Sequence, residues 1–357
     1  MSKFSWGLMG YSPENPNNIG HEITTQIENS HERLQLERMP RWVLRSSGLM
    51  APDGVTPHQT GELEQMAEFP DVVFVALPSS DDGEPAYSLI MQSLEKGATV
   101  ITCEKGALAN RFQDLKEASG NFERLGFNAT VGGGAKPMEK AKADLRDPDN
   151  VKAIHMKPNA TLNFISGRLS TDGQEPASPE VAVKEAIEKG LAEPGSHDIL
   201  SVIHTEAEGD IPKKLAIFLN QSGLLEPNDY IDWHELAFKL TDKQIRTALE
   251  NPDTHHFISS IYPTDRGEVP DVGRLGGFDV THGRWRLVGG FIDPRKVQSM
   301  QALINLSGTD SCIVISLGPP DSSDGDYPIP GPGAGPGPTV NAMLDDFIHL
   351  VRNKKTI

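Results

Sequence analysis

Short apolar runs alternate with helical patterns through the first third of the chain, and this alternation constrains the fold more than any other feature. The clearest run is 71–78, which is apolar along both faces, as in a buried parallel strand. Comparable runs lie at 4–9, 41–48 and 98–102, and helical spacing is found after position 19 and at 84–96 and 107–119. Strands that alternate with helices predict an α/β fold with a doubly wound parallel sheet of the Rossmann type.

The first run leads through a loop into a helix, which is the arrangement that holds a dinucleotide pyrophosphate against a helix N-terminus. Gly7, Gly10 and Gly20 lie where glycine lets the backbone come close to such a ligand. The usual tight Gly-x-Gly turn is replaced by residues 12–17, a longer segment that contains Pro13 and Pro16. The segment therefore has two interpretations, a cofactor-binding turn or a plain surface loop.

The second run ends near Arg45, where enzymes that select NAD carry an acid for the ribose 2′-hydroxyl. An arginine in place of an acid favours a 2′-phosphate, and hence NADP over NAD. The alternative is an ordinary charged residue at a strand end. Ser79 and Lys105 follow the next two strands, at the edge of a parallel sheet where ligands bind.

Three successive glycines, Gly132 to Gly134, mark a change in the pattern and predict a domain junction. Beyond them, strand patterns at 153–156, 285–292 and 311–316 mix with helical ones, which indicates an α+β domain with a mixed sheet. His255 and His256 have no further ligand at metal spacing and are predicted as a loop pair.

The segment 331–338, rich in glycine and proline, precedes a final amphipathic helix at 339–347. We predict that this segment, which includes Gly333, feeds the helix N-terminus close to the cofactor. The predicted dinucleotide-binding domain therefore consists of residues 1–136 and 331–357. Residues 137–330 form the predicted substrate-binding, catalytic and dimerisation domain.

One predicted helix of the second domain carries a candidate catalytic pair. Because proline is tolerated in a first helical turn, Pro212 predicts a helix that begins near Asp210, with Asp210 as N-cap, and ends at Gly223. Asp210 and Lys214 are four residues apart, so they share a face at the border between core and solvent. A half-buried lysine beside a carboxylate can donate a proton, whereas a solvated ion pair is the commoner cause of this spacing.

The charge balance and the cysteines limit the partners of the chain. A formal net charge of -17 argues against nucleic acid and against an anionic membrane surface. Cys103 and Cys312 lie far apart inside apolar runs and are predicted to be buried thiols of a reducing compartment. The N-terminus lacks an apolar signal stretch, and no apolar segment approaches the length of about 18 residues that spans a bilayer. We therefore expect a cytoplasmic protein that acts on a small molecule.

Motifs spread over nearly the whole chain resemble the homoserine dehydrogenase family. Residues 102–109 are similar to the family's Thr-Ala-Asn-Lys segment, and residues 129–134 match its Ala-Thr-Val-Gly-Gly-Gly. Residues 159–165 are similar to its Asn-Gly-Thr-Thr-Asn-Tyr-Ile. Further motifs follow in family order: Ala192-Glu193-Pro194, Asp210-x-x-x-Lys214, Trp285-x-Leu287-Val288-Gly289 and Gly331-Pro332-Gly333-Ala334-Gly335. Each motif alone is weak, but the ordered series indicates a common fold.

The resemblance implies an enzyme that interconverts homoserine and aspartate semialdehyde with NADP or NAD, in threonine and methionine biosynthesis, as a homodimer or higher homo-oligomer. It implies that Lys214 is the proton donor, that Lys105 lies where nicotinamide and substrate meet, and that Glu193 and Asp210 bind the amino acid end of the substrate. The other implied substrate-binding residues are Gly133 and Thr161. The cofactor-binding set is Gly7, Gly10, Gly20, Arg45, Ser79, Lys105 and Gly333, and the implied monovalent-cation ligands are the backbone carbonyls of Val131, Gly133 and Ala135.

The chain departs from the family pattern in several places. The pyrophosphate loop carries an insertion, Asn128 replaces a carboxylate, Glu104 replaces the asparagine before Lys105, and residues 201–206 stretch the spacing from Glu193 to Asp210. Two alternatives therefore stay open, a relative that reduces another small carbonyl compound and a catalytically silent paralogue. Joint retention of the implied catalytic and substrate-binding side chains argues against the silent one.

Overall fold

The computed structural model describes residues 3–15, 18–145, 147–170, 175–192, 198–265, 274–306, 308–318 and 325–352. The chain forms two compact units, Met1–Thr130 with Pro336–Ile357, and Val131–Gly335. Both divisions fall within the glycine-rich segments of the sequence.

The first unit is built on a six-stranded sheet in the order β3-β2-β1-β4-β5-β6. Its strands are β1 (Trp6–Met9), β2 (Val43–Arg45), β3 (Gly48–Met50), β4 (Val72–Val75), β5 (Thr99–Thr102) and β6 (Leu125–Gly126). All neighbours pair in parallel except β2 and β3, which form an antiparallel hairpin. The predicted parallel sheet is confirmed, but the predicted strand 41–48 is shorter, because the chain turns back at Gly48 with φ of 116°.

Helices connect these strands and cover the sheet. They are α1 (Ile19–Leu34), α2 (Ala86–Glu95), α3 (Gly106–Asn110) and α4 (Phe112–Ala118), together with the final helix, Pro336–Phe347. The predicted helix 107–119 is thus two helices, divided at Arg111, where φ and ψ are -133° and 37°. The final helix packs Val340, Met343 and Phe347 against the same core as β1, β4 and α1.

The second unit is built on an antiparallel six-stranded sheet in the order β12-β11-β7-β8-β10-β9. Its strands are β7 (Val151–Lys157), β8 (His256–Pro263), β9 (Leu275–His282), β10 (Trp285–Ile292), β11 (Asp310–Leu317) and β12 (Asp326–Pro332). Its helices are α5 (Pro137–Asp144), α6 (Ala160–Leu169), α7 (Pro179–Glu188), α8 (Ile199–His204), α9 (Ile211–Ser222) and α10 (Asp242–Glu250). The predicted second α+β unit is confirmed, but its sheet is not the predicted mixed one, because all of the described neighbours pair antiparallel.

The two faces of this sheet are covered by different elements. Residues of α6, α7, α8 and α10 form a core with Phe257 and Phe291. A separate cluster places Met300 and Leu303, from a 3-10 segment, against Ile258 of β8 and against β11. The face opposite the α-helical core is therefore partly covered by the 3-10 segment of the same chain.

Strand β12 forms one edge of the sheet and is rich in proline. Pro328, Pro330 and Pro332 occupy every second position of this strand, and all three are exposed. Proline has no N–H to offer to a further strand, so it is confined to the edges of sheets. This edge of the sheet therefore cannot extend its hydrogen-bond ladder.

The helix that carries Lys214 is longer than the sequence predicts. It runs without a break through α8, a π-helical segment, Thr205–Asp210, and α9. Asp210 has helical φ and ψ of -66° and -45° and makes no capping hydrogen bond, so its prediction as N-cap is wrong. The N-cap is Asp198, in a capping box with Ser201.

The wide π turn explains how a proline lies inside this helix. In an α-helix, Pro212 would leave a carbonyl without its donor and press its ring on the preceding turn. Here the N–H of Ile211 already reaches back five residues to the carbonyl of Glu206, which relaxes that turn. Gly223, with φ of 82°, ends the helix as predicted.

No helix in the described part of the chain is long and apolar enough to cross a membrane. Both cysteines are free thiols, and Cys312 is buried whereas Cys103 is half-buried.

Candidate active site

Lys214 lies in the interior of the second unit. Its Nζ is 2.7 Å from Oδ2 of Asp210 and donates to the carbonyl oxygen of Pro158 at 3.0 Å. The two side chains are only 10% and 3% exposed. The prediction that they share a helix face is confirmed, but their placement at the border with solvent is wrong, because α9 is buried on every side from Ile211 to Leu219.

Asn159 joins this pair to a second carboxylate. Its Oδ1 accepts the N–H of Leu162 at 2.8 Å and so caps α6, which fixes the orientation of the amide. Its Nδ2 donates to Oδ2 of Asp210 at 2.8 Å and to Oε2 of Glu206 at 2.6 Å. One amide thus holds two carboxylates close together.

Sequence reasoning missed Glu206 and Asn159 as residues of this site, and Glu206 is the one that adds a charge. It is 2% exposed and lies in the π-helical segment, within the stretch that lengthens the spacing from Glu193 to Asp210. A helix extended upstream of Pro212 would have placed Glu206 one turn before Asp210, and only the assumption that proline starts a helix concealed it.

The site brings side chains of both charge signs together. Glu206 and Asp210 bring two carboxylates, while Lys214 brings one ammonium. Burial of a charge is costly unless an opposite charge accompanies it. The neighbouring Lys213 lies with its Nζ 4.9 Å from the ring centre of Trp233, as a cation–π contact. The cluster of Asn159, Glu206, Asp210 and Lys214 is therefore suited to a ligand that brings a positive group and an oxygen that needs a proton.

Other predicted residues of the second unit have defined surroundings. The hydroxyl of Thr161 donates to the carbonyl oxygen of Leu191 at 2.8 Å, and its side chain is buried. Glu193 lies outside the described residues. A Cβ on Gly133 would be 2.8 Å from the carbonyl oxygen of Gly333, and one on Gly333 would be 1.9 Å from Oγ of Ser311. The two glycine segments therefore pack backbone to backbone, and their ligand roles stay predictions.

In the first unit, Lys105 follows β5 and its N–H donates to Oγ of Ser79 at 3.1 Å. The residue before it, Glu104, is 1% exposed and accepts the N–H groups of Gly106 at 2.6 Å and Ala107 at 2.8 Å. Burial raises the pKa of Glu104, although these N–H bonds act in the opposite direction. The departure from the family pattern at this position thus supplies a cap for α3.

The glycines of the first turn differ in what they permit. A Cβ on Gly10 would be 2.3 Å from the carbonyl oxygen of Ala76, and a Cβ on Gly20 would be 2.3 Å from that of Gly10. Strand β1 and helix α1 therefore approach as closely as in a dinucleotide-binding turn. A Cβ on Gly7 would instead meet the ring of Trp42 at 2.6 Å, so its need for glycine comes from packing.

Arg45 ends β2 and is held on two sides. One terminal nitrogen donates to the carbonyl oxygen of Gly54 at 3.0 Å, and the other lies 3.3 Å from both carboxylate oxygens of Glu14. Glu14 belongs to the inserted segment of the first loop. The acid that is missing from the end of β2 is thus present beside Arg45, from another loop.

His256 is the first residue of β8 and is buried, so its prediction as part of a loop pair is wrong. Its Nδ1 is 2.8 Å from Nζ of Lys157. Burial lowers the pKa of Lys157 to about 8, and burial together with the charge of Lys157 lowers the pKa of His256 to about 3. These two groups pack under the 3-10 segment, since Nζ of Lys157 also lies 3.4 Å from the carbonyl oxygen of Leu303.

Residues 137–348 match the family model for homoserine dehydrogenase, which is more than half of the chain. A homoserine dehydrogenase of Mycobacterium bovis is 30% identical over 181 residues, which are 49% of this chain and 40% of that protein. One of Methanocaldococcus jannaschii is 33% identical over 125 residues, 34% of this chain and 36% of that protein. The chain thus matches about 40% of the length of the first of these relatives.

The fold is that of solved homoserine dehydrogenases. The crystal structure from Thermoplasma acidophilum has a TM-score of 0.68 at 19% identity, over 98% of this chain and 99% of that one. A hyperthermophilic archaeal homoserine dehydrogenase in complex with NADPH has a TM-score of 0.60 at 16% identity, over 98% of both chains. The family model matches more than half of the chain, and the fold agrees over nearly all of it. We conclude that the chain belongs to the homoserine dehydrogenase family.

Proposed function

We propose that the protein is an NAD(P)-dependent oxidoreductase that interconverts homoserine and aspartate semialdehyde. The observation that carries this proposal is the buried cluster of Asn159, Glu206, Asp210 and Lys214, which joins a proton donor to carboxylates that suit a substrate ammonium. Family membership supports the reaction type.

Lys214 acts as the general acid in the reducing direction. Its ammonium is oriented by the carboxylate of Asp210 and the carbonyl of Pro158, which leaves one N–H for the carbonyl oxygen of the substrate. A nicotinamide cofactor, when bound, would supply the hydride for the aldehyde carbon. As negative charge develops on the oxygen, Lys214 transfers a proton to it, and the product is an alcohol. In the oxidising direction the neutral amine removes the same proton.

Glu206 and Asp210 bind the amino acid end of the substrate. The carboxylates of Glu206 and Asp210 suit the α-ammonium of homoserine, and charge-assisted hydrogen bonds to carboxylates are among the stronger ones. Glu193 is proposed to act with them.

The first unit fits a dinucleotide cofactor, NADP or NAD. The close approach of β1 and α1 at Gly10 and Gly20 leaves the first turn of α1 available to a pyrophosphate. Its N-cap, Asn18, accepts the N–H of His21 at 3.2 Å, and a phosphate oxygen could accept in its place. Arg45, at the end of β2, is the group for a 2′-phosphate, while Ser79 and Lys105 extend the site along the sheet edge.

A monovalent cation is a further proposed component. The backbone at Gly132 and Gly133 is left-handed, with φ of 67° and 51°, a conformation that residues other than glycine rarely adopt. This turn is proposed to direct the carbonyls of Val131, Gly133 and Ala135 toward the cation. Activity measured in sodium, potassium and a bulky organic cation at equal ionic strength tests this component. Equal rates in all three would contradict it.

Replacement of Lys214 by alanine tests the mechanism. We expect kcat to fall by about 10²–10⁴-fold, the usual scale of general acid catalysis, while cofactor affinity hardly changes. Lys214→Arg should not restore the rate, because guanidinium holds its proton too firmly near neutral pH. Steady-state kinetics and cofactor titration measure the two effects.

The matched control is Lys184→Ala, which removes an exposed lysine from α7 of the same unit. Its kcat should be that of the wild type. If Lys214→Ala keeps more than about a tenth of the wild-type kcat, Lys214 is not the donor, and Lys105 becomes the next candidate.

A second candidate function is reduction of another small carbonyl compound by the same chemistry. The lengthened stretch that contains Glu206 and the inserted cofactor loop favour it, since both change segments that would select ligands. The wild type would then reduce a related aldehyde at a higher kcat/KM than aspartate semialdehyde. A catalytically silent paralogue would show no turnover and no cofactor binding with or without homoserine.

A further inference from the structure

Glu14 and Arg45 form an ion pair where a 2′-phosphate is expected. One Arg45 nitrogen is tied to the carbonyl of Gly54, so the guanidinium is oriented, and its other terminal nitrogen faces both oxygens of Glu14. A phosphate binds arginine best through two parallel N–H bonds. Glu14 occupies one of the two nitrogens that such a pair would use.

The loop that carries Glu14 is built to hold it there. The N–H of Asn15 donates to the carbonyl oxygen of Ser12 at 3.3 Å, which closes a turn around Glu14. Oδ1 of Asn18 accepts the N–H of Ser12 at 3.3 Å and that of His21 at 3.2 Å, so the start of α1 anchors the turn. The position of Glu14 therefore follows from the insertion itself.

The pair is weak enough to open when a ligand arrives. The side chain of Glu14 is 73% exposed and that of Arg45 is 20% exposed, and solvent screens such pairs. NADPH must either displace Glu14 from Arg45 or place its phosphate beside a carboxylate. NADH, which lacks the phosphate, meets neither penalty.

We propose that Glu14 is a specificity-determining residue that reduces the preference of Arg45 for NADPH over NADH. This inference rests on the proposed binding of a dinucleotide by the first unit. Arg45 attracts the phosphate, and Glu14 weakens phosphate binding because it competes for the same guanidinium. The protein thus discriminates less between the two cofactors than Arg45 alone would.

The test measures the Kd of NADPH and of NADH by fluorescence titration of the full chain, without substrate. Glu14→Gln should bind NADPH about three- to tenfold more tightly than the wild type, with the Kd of NADH changed less than about twofold. Arg45→Gln should weaken NADPH by about ten- to a hundredfold and leave NADH nearly unchanged. The gain from Glu14→Gln should shrink as salt concentration rises.

Two further variants separate the ion pair from a change in net charge. In an Arg45→Gln background, Glu14→Gln should alter the Kd of NADPH by less than about twofold, because the arginine it restrains is gone. Glu28→Gln removes an acid from a comparable exposed pair with Arg38, on the same unit, and should leave both Kd values unchanged.

An unchanged ratio of the two Kd values in Glu14→Gln would overturn this inference while the proposed function stands. Weaker binding of NADH in that variant would also overturn it, since Glu14 would then be the acid for the ribose 2′-hydroxyl. Failure of the wild type to bind either dinucleotide would overturn both the proposed function and the inference.

Discussion

At the scale of single residues, Glu206 and Asp210 share the amide of Asn159 but differ in their contact with Lys214. Asp210 touches the lysine, whereas Glu206 is held one hydrogen bond further away. We therefore expect Glu206→Gln to raise KM for homoserine by about tenfold with kcat within about threefold. Asp210→Asn should raise KM and lower kcat together. It removes a charged partner of the substrate ammonium and the carboxylate that orients Lys214.

A substrate without the amino group makes this prediction specific. With 4-hydroxybutyrate, Glu206→Gln should leave KM unchanged, because no ammonium is present to lose its partner. An equal rise in KM for both substrates would mean that Glu206 only supports Asn159. Melting temperatures of the variants control for loss of fold.

Lys157 is a buried amine whose charge opposes folding. Its pKa falls from 10.5 to about 8, so below pH 8 the protein carries a penalty on the order of 3 kcal/mol, which disappears as pH rises to 10.5. We expect Lys157→Met to be more stable than the wild type by about 1–3 kcal/mol at pH 7, and this advantage to shrink between pH 8 and pH 10.5. Urea unfolding of both proteins across this range measures it.

The thiol of Cys312 also titrates in this range, since burial raises its pKa to about 11 while the charge of Lys157 acts to lower it. The same comparison in a Cys312→Ala background removes this contribution. A constant difference between the two proteins from pH 7 to pH 10.5 would show that Lys157 is not the titrating group. Lys184→Met, at an exposed site, should show no such pH-dependent difference from the wild type.

The sequence located the candidate pair but not its surroundings. The spacing of Asp210 and Lys214 predicted their contact, because four residues make nearly one helical turn. Their burial depends on what other elements pack around α9, which no local pattern contains. The carboxylate of Glu206 and the amide of Asn159 come from segments 47 residues apart, so their contact is a product of the fold.

At the scale of elements, the long helix that carries the site begins at Asp198. Asp198 accepts the N–H groups of Leu200 and Ser201, and Ser201 completes the capping box. Loss of such a cap costs about 1 kcal/mol. We expect Asp198→Ala to lower the free energy of unfolding, measured with urea, by that amount without a change in kcat.

Asp210→Ala is the comparison variant. It tests whether a helix starts at Asp210, as Pro212 alone would predict. If Asp210 were a cap, its loss would resemble that of Asp198 in stability. Because its side chain binds Asn159 and Lys214 instead, the variant should change kcat and KM strongly. An Asp198→Ala protein as stable as the wild type would contradict the observed helix start.

Three strands of the first unit, β1, β4 and β5, were predictable because each is a buried apolar run between loops, and they lie inside their predicted segments. The hairpin of β2 and β3 was not, since its return strand has three residues and no periodicity of its own. The burial of His256 was missed because histidine is a polar residue and its partner, Lys157, lies on the neighbouring strand β7, 99 residues away in the sequence.

At the scale of the whole molecule, we expect a homodimer formed through the sheet of the second unit. The family resemblance and the strand-rich segment from Trp285 to Ser316 support it. The 3-10 segment already covers part of one face of the sheet, over β8 and β11. At the edge formed by β12, prolines remove N–H groups that a further strand would need. The free edge at β9, in the part of the sheet that the structure describes, is therefore the best candidate for pairing.

Light scattering at micromolar concentration tests this state. A mass of twice the chain, independent of dilution over about tenfold, is the expected result. A monomeric mass under these conditions would contradict the dimer.

The prolines of β12 also limit the number of copies that can associate through this sheet. A filament grows only when each subunit offers two complementary surfaces, one to the copy ahead and one to the copy behind. A sheet with Pro328, Pro330 and Pro332 on one border has a single border left for strand pairing, and two such borders can only satisfy each other. We therefore expect edge-to-edge association through the sheet of the second unit to stop at two copies, so that this sheet does not support fibre growth at high concentration.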